Sequence, residues 1–253
     1  MSSERLPAEA SGRESRWWGE HVHRYQEALS YIEESDTVLD IACGSGFGSD
    51  ILAAKTRGKV IGGDIDAGTI DECKKTWSRP NLEFKVLDGT KLDFNDQYFD
   101  KVISFETIEH TAQYKEMIAE FARVLKHGGK LILSTPNRPV LSPNGIKNPY
   151  HIQEFTVDEL RAILKLAFSS VEMSGQRNKR YDKKSLKLSI GKAFEKFFLT
   201  RGVTKLPFSW RNGFMKTFFG YPLYPELKDF TLEKELSRIN KECPVQVAIC
   251  QKS

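Results

Sequence analysis

The sequence predicts an α/β protein, a mostly parallel sheet with helices on both faces. Short apolar runs alternate with helical patterns from residue 20 to about 175. A glycine-rich turn, Gly44-Ser-Gly46-Phe-Gly48, joins the first of these runs to a helix. Aspartates stand at or near the ends of three successive runs: Asp40, Asp64 and Asp88.

An opening helix over 20–32 leads into an apolar strand, 37–41. The glycine turn follows, then a helix over 49–54 and a second strand, 59–63. Asp66 is placed to cap a helix running to Trp77, since its carboxylate can take amide protons that the first turn leaves unbonded. A third strand, 82–87, precedes a polar loop and a fourth strand, 101–105. Met117, Ile118, Phe121, Ala122 and Leu125 then recur at helical spacing, and His127-Gly128-Gly129 stops the pattern. The fifth strand is 130–134. Thr156-Val-Asp-Glu159 reads as a reciprocal cap opening a helix over 157–167. Residues 171–173 read as a sixth strand and 245–250 as the last.

The bulk properties set limits. At 253 residues, with 40% apolar and 28% charged side chains, the chain has the composition of a globular protein with one sizeable core. No apolar run approaches the ~20 residues that span a bilayer. Residues 1–15 lack an apolar segment of the secretory type and read as a disordered lead-in, with one domain over 16–253. Cys43, Cys73, Cys243 and Cys250 show no CxxC spacing, so a reducing, cytoplasmic setting is expected.

Roughly seventy residues, 176–242, lie between the last two strands where a hairpin loop would do. This insertion is basic: 176–216 holds twelve Lys and Arg against Asp182 and Glu195, a net of +10 in a chain whose total is +4. It is also aromatic, with Tyr181, Phe194, Phe197, Phe198, Phe208, Trp210, Phe214, Phe218 and Phe219. Leu186, Ile190, Phe194, Phe197 and Phe198 suggest an amphipathic helix.

The glycine turn departs from the dinucleotide pattern G-x-G-x-x-G. Asp64, eighteen residues after Gly46, is placed to accept ribose hydroxyls. Asp40 adds negative charge beside the turn, which suits a cationic ligand and suits a pyrophosphate poorly. Asp88 is placed to receive an adenine amino group. A dehydrogenase reading is disfavoured on the glycine spacing.

These residues resemble the class I S-adenosylmethionine methyltransferases. VLDIACGSGFG is similar to their first motif, VIGGDID to the ribose-binding acidic loop and FKVLDGTKLDF to the adenine contact. FDKVISFETIEH and FARVLKHGGKLILSTPN are similar to the fourth- and fifth-strand motifs. The resemblance covers 20–175 and implies a Rossmann-like, seven-stranded sheet whose last strand runs antiparallel. It assigns S-adenosyl-L-methionine to Asp40, Ala42, Gly44, Ser45 and Gly46 on the first turn, and to Asp64 and Ile65 after the second strand. Asp88, Gly89 and Phe105 complete the set, with Arg24 or Tyr25 of the opening helix reaching the methionyl carboxylate.

Groups ending the fourth strand face the methyl group in such a fold, and that position reads Glu106-Thr-Ile-Glu109-His110. A hydroxyl acceptor needs its proton removed, so His110, Glu109 and Glu106 are the catalytic candidates. With His151 they form a set of N and O donors suited to Mg²⁺ or a similar divalent ion. The set resembles that of small-RNA 3′-end 2′-O-methyltransferases, and Glu-x-x-Glu-His recurs in ubiquinone-biosynthesis O-methyltransferases. His110 as a lone general base is the simpler alternative. The acceptor expected is a hydroxyl of a small molecule, sugar or glycan. A quinone-pathway enzyme at the membrane, an RNA 2′-O-methyltransferase and a non-catalytic cofactor-binding module are alternatives. The basic insertion is read as a lid over an acceptor that can bear phosphate, ahead of peripheral contact with an anionic membrane or binding of RNA; nucleic acid is disfavoured for want of a recognised module. Oligomeric state is left open.

Overall fold

The computed structural model describes residue 15 and residues 17–146, 148–180, 182, 185–200 and 203–253. The expected lead-in up to residue 14, and Tyr181, Lys183, Lys184 and Arg201 of the basic segment, lie outside the described residues.

The elements run α1 (Trp18–Ala28), β1 (Val38–Ile41), α2 (Phe47–Lys55), β2 (Val60–Asp64), α3 (Ala67–Thr76), β3 (Leu82–Val86) and β4 (Phe99–Phe105). Then come α4 (Tyr114–Val124), β5 (Leu125–Pro136), α5 (Arg138–Leu141), α6 (Val157–Leu164) and β6 (Ser170–Asn178). The chain ends with α7 (Leu186–Phe198), α8 (Phe208–Phe219), β7 (Phe230–Glu233), α9 (Leu236–Glu242) and β8 (Val245–Gln251).

The sheet order is β3-β2-β1-β4-β5-β8-β6-β7. β1 to β5 pair in parallel, and β8 pairs antiparallel with both β5 and β6. Helices on both faces make parallel strands apolar on both sides, and β1 and β2 are buried at every position. The core joins Leu39, Ile61, Phe99, Val102 and Leu131 of the sheet to Phe121 of α4.

The sheet has eight strands, not seven. The additional strand, β7, is four residues long, too short for an alternating pattern to mark it. The helix after β4 ends at Val124, earlier than the periodic pattern suggests, because Leu125 pairs with Phe99 and starts β5. Pairing with a neighbour overrides the helical period there. Two expected caps are present: Asp66 accepts from the Thr69 amide, and Thr156 and Glu159 bond reciprocally.

By its contacts the chain forms two compact units. Tyr25–Arg177 and Leu232–Ser253 form the first. It includes α9, where Ile239 and Cys243 pack with Val157. The second holds Asn178–Thr231 and the stretch ending at Arg24. It has its own core of Phe198, Met215, Tyr221 and Leu223. Arg180 organises it, pairing with Asp229 at 2.7 Å and donating to the carbonyls of Pro222 and Tyr224.

Candidate functional site

The turn after β1 is built to present backbone at the carboxyl edge of the sheet. Gly46, with φ +79°, caps α2, and a Cβ there would lie 2.9 Å from Cys73, Phe84 and Trp77. A left-handed backbone and crowding together exclude a larger residue. Gly48 is required for a different reason: a Cβ would stand 1.9 Å from the Tyr25 ring. Ala42 is also left-handed, with φ +61°, a conformation uncommon outside glycine. The turn is tied to α3 and the segment after it. The Trp77 indole donates to the Ser45 carbonyl at 2.7 Å, and the Cys73 thiol to the Gly44 carbonyl at 3.1 Å.

Asp64, ending β2, accepts the Gly44 amide at 3.1 Å and the Asp66 amide at 3.0 Å, one on each oxygen. Each carboxylate oxygen has a second acceptor site. Asp64 thus braces the turn and stands beside Ile65, whose side chain is 68% exposed. Asp88 is exposed, and its side chain accepts the Thr90 amide and hydroxyl on Oδ1. Gly89 is buried against Met117 and Ile41.

Asp40 departs from the expectation of a charge facing the ligand. It is fully buried, accepting from the Tyr25 hydroxyl at 3.0 Å and the Ser49 hydroxyl at 2.6 Å. Burial pushes its carboxyl up to about 6; the Ser49 and Tyr25 hydrogen bonds oppose the rise, and the Asp64 charge adds to it. The carboxylate is drawn inward because two hydroxyl donors satisfy it there, where an unbonded carboxylate would be costly. Tyr25, expected to reach a methionyl carboxylate, is likewise turned inward. Its ring packs edge-on to Phe47 at 5.3 Å and to Phe105 at 5.0 Å. Arg24 falls in the second unit and pairs with Glu20 at 3.4 Å.

Beyond β4 the chain turns sharply at Glu106, where φ is +52°. The Glu106 carboxylate accepts the Ser134 hydroxyl at 2.7 Å. A short 3₁₀ turn, Ile108–His110, then aims Glu109 and His110. Glu109 is fully buried and accepts the Thr135 hydroxyl at 2.8 Å. Its carbonyl takes the amides of Ile152 at 2.8 Å and Gln153 at 3.0 Å, which brings the loop carrying His151 to the end of β4. The two imidazoles meet edge to face, 5.2 Å apart.

Second partners set the imidazole tautomers. His110 Nδ1 lies 2.9 Å from the Tyr150 carbonyl, which can only accept, so Nδ1 carries the proton. His151 Nδ1 donates to the buried Glu154 carboxylate at 2.7 Å. His110 Nε2 lies 4.0 Å from Glu109 Oε1, and His151 Nε2 lies 3.3 Å from the Asn148 amide nitrogen. A partner on Nδ1 is the means by which metal-ligating histidines are oriented. One ligand atom each of Glu109, His110 and His151 lies within 4.8 Å of the others, and these three could hold a metal ion. Three of the four expected ligands thus come together, and Glu106 does not join that cluster. Trp77 and Glu154 were not foreseen. Glu154 has a signal in His-Ile-Gln-Glu, a carboxylate three residues after an imidazole.

The strand order, the glycine turn after β1 and the carboxylates at or just beyond the ends of β2 and β3 are those of the Rossmann-like fold of class I methyltransferases. Residues 39–133 match the family model described as "Methyltransferase domain". A probable S-adenosylmethionine-dependent methyltransferase of Mycolicibacterium smegmatis is 34% identical over 161 residues, 63% of this chain and 61% of that protein. The phthiotriol/phenolphthiotriol dimycocerosates methyltransferase of Mycobacterium tuberculosis is 31% identical over 126 residues, 49% of this chain and 46% of its own. The chain thus spans less than two thirds of these curated relatives. Among solved structures, a SAM dependent methyltransferase from Archaeoglobus fulgidus covers 94% of this chain, and 95% of its own length is covered. Its TM-score is 0.60 at 19% identity. The PH0226 protein of Pyrococcus horikoshii has TM-score 0.55 at 25% identity, over 68% of this chain and 90% of its own. Among the described residues no helix is long and apolar enough to cross a membrane.

Proposed function

We propose that this chain transfers a methyl group from S-adenosyl-L-methionine to a hydroxyl of a small-molecule, sugar or glycan-type acceptor. The observation that carries the hydroxyl acceptor is the meeting of two imidazoles, each held at Nδ1, with the buried Glu109 carboxylate at the end of β4.

The donor's adenosine lies along the edge formed by β1, β2 and β3. Asp64 accepts from the ribose, the exposed Ile65 side chain covers the adenine, and Asp88 takes its amino group. The backbone of Ala42, Gly44, Ser45 and Gly46 flanks the methionyl part, while Asp40 and Tyr25 hold that backbone in place from beneath. The acceptor oxygen attacks the methyl carbon; the carbon–sulfur bond breaks, and its electron pair stays on sulfur as a neutral thioether. The hydroxyl proton passes to an imidazole Nε2 at His110 or His151. Holding the acceptor in line is itself worth several kcal/mol, about 7–11 in well-oriented model reactions.

The donor set fits a divalent ion, since two imidazoles held at Nδ1 and a buried carboxylate are ordinary ligands for one. When bound, such an ion lowers the pKa of a hydroxyl that touches it. Glu109, His110 and His151 would hold it, with Glu154 behind His151.

Calorimetry with S-adenosylmethionine and its demethylated product, followed by methyl-transfer assays on diol acceptors with and without EDTA, tests the proposal. Heat release with both ligands and transfer to oxygen are expected. Absence of binding removes the whole reading. Full turnover in excess EDTA removes the metal and leaves a histidine base.

A further inference from the structure

The second unit displays an apolar face of a kind that globular surfaces rarely leave bare. On α7, Leu186, Ile190 and Phe197 recur at helical spacing and are 79%, 44% and 53% exposed. On α8, Trp210, Phe214 and Phe218 recur every fourth residue, with Trp210 and Phe218 57% and 60% exposed. Ring contacts fuse the two stripes. Phe194 of α7 lies 5.5 Å from Phe214, and Phe214 lies 4.5 Å from Phe218. Lys187, Lys192, Lys196 and Lys216 on the same helices are exposed. From residue 178 to 216 the only acids are Asp182 and Glu195, and Glu195 faces Arg180 at 3.8 Å.

We propose that this face docks on the surface of an anionic phospholipid bilayer. Large aromatic and aliphatic side chains amid lysines form the pattern of interfacial helices, which seat rings and alkyl chains at the headgroup boundary. Lysine stems extend along that boundary and place their ammonium groups among lipid phosphates. At 13 and 12 residues the two helices are too short to span and suited to lie flat. A second copy is the poorer occupant, because the same face doubled would set lysines against lysines. RNA is poorer too, since Leu186 and Ile190 offer no flat surface for base stacking. This inference stands apart from the methyl-transfer reading.

The test is sedimentation of the full chain with vesicles of phosphatidylcholine alone or mixed with phosphatidylglycerol. Binding to the mixed vesicles is expected, about tenfold above the neutral ones and weakened by salt. The pair Lys192→Gln and Lys196→Gln should lower binding about 30-fold. Trp210→Ser with Phe218→Ser should abolish it while the melting temperature falls by no more than about 4 °C, because both side chains are more than half exposed. Brominated lipid should quench tryptophan emission, and Trp210→Phe should remove most of that quenching. Equal binding to neutral vesicles, no binding, or unchanged binding by either variant would overturn the proposal. Salt-dependent retention of RNA, capture of an acidic protein, or a dimer lost in Phe218→Ser, each without vesicle binding, would do the same.

Discussion

The phenol of Tyr25 donates to the buried carboxylate of Asp40 at 3.0 Å, fastening the opening helix to the strand from which the glycine turn springs. Tyr25→Phe should therefore cost about 1–3 kcal/mol, since a buried carboxylate loses one of two donors. Chemical denaturation measures that loss. Calorimetry should show weaker binding of the demethylated donor, because the turn loses support from beneath.

The same carboxylate gives a pH signature. Its value is raised to about 6 in the folded chain, and an aspartate in the unfolded chain titrates near 3.9. The fold thus binds this proton more tightly. Stability from Asp40 is fully present below about pH 4 and falls as pH rises through about 6, by an amount on the order of 3 kcal/mol. Asp40→Asn should lack that decline. The difference in unfolding free energy between variant and parent should move in the variant's favour from pH 4 to 6 and then level off. A flat difference would show that Asp40 titrates normally.

Gly48→Ala places a methyl group 1.9 Å from the buried Tyr25 ring. Forced packing of this kind costs about 1–3 kcal/mol. The melting temperature should fall, and in a Tyr25→Ala background, itself less stable, the same change should cost much less.

Glu154→Gln tests the support behind His151. The amide can still accept from Nδ1 but no longer holds it as an ion does, so metal affinity should drop about 10–100-fold. Binding of S-adenosylmethionine should not change, which separates this effect from misfolding. His110→Ala should lower kcat about 10²–10⁴-fold whether the imidazole acts as base or as ligand. Added metal would restore activity to the Glu154 variant but not to the His110 variant.

Much of the architecture is local information. The period that places Met117, Ile118 and Phe121 on one face of α4 is readable, and all three are buried. The caps at Asp66 and Thr156 are readable because a cap needs only its own next turn. β7 was invisible, since Phe230–Glu233 is a strand only by virtue of its place at the edge of the sheet. The end of α4 was misread for a related reason: Leu125 fits the helix but pairs with Phe99.

The sequence by itself determined the alternation of strands and helices from β1 to β6, and that three aspartates stand near strand ends, because periodicity and turn chemistry act over a few residues. Only the tertiary structure decided where each carboxylate points. Asp40 was turned inward by Tyr25 and Ser49, whereas Asp88 stayed at the surface. The meeting of His110 with His151 is likewise a property of the fold, made by the Glu109 carbonyl gripping a loop distant in sequence. Hydrogen-bond partners far apart along the chain leave no mark on the residues between them.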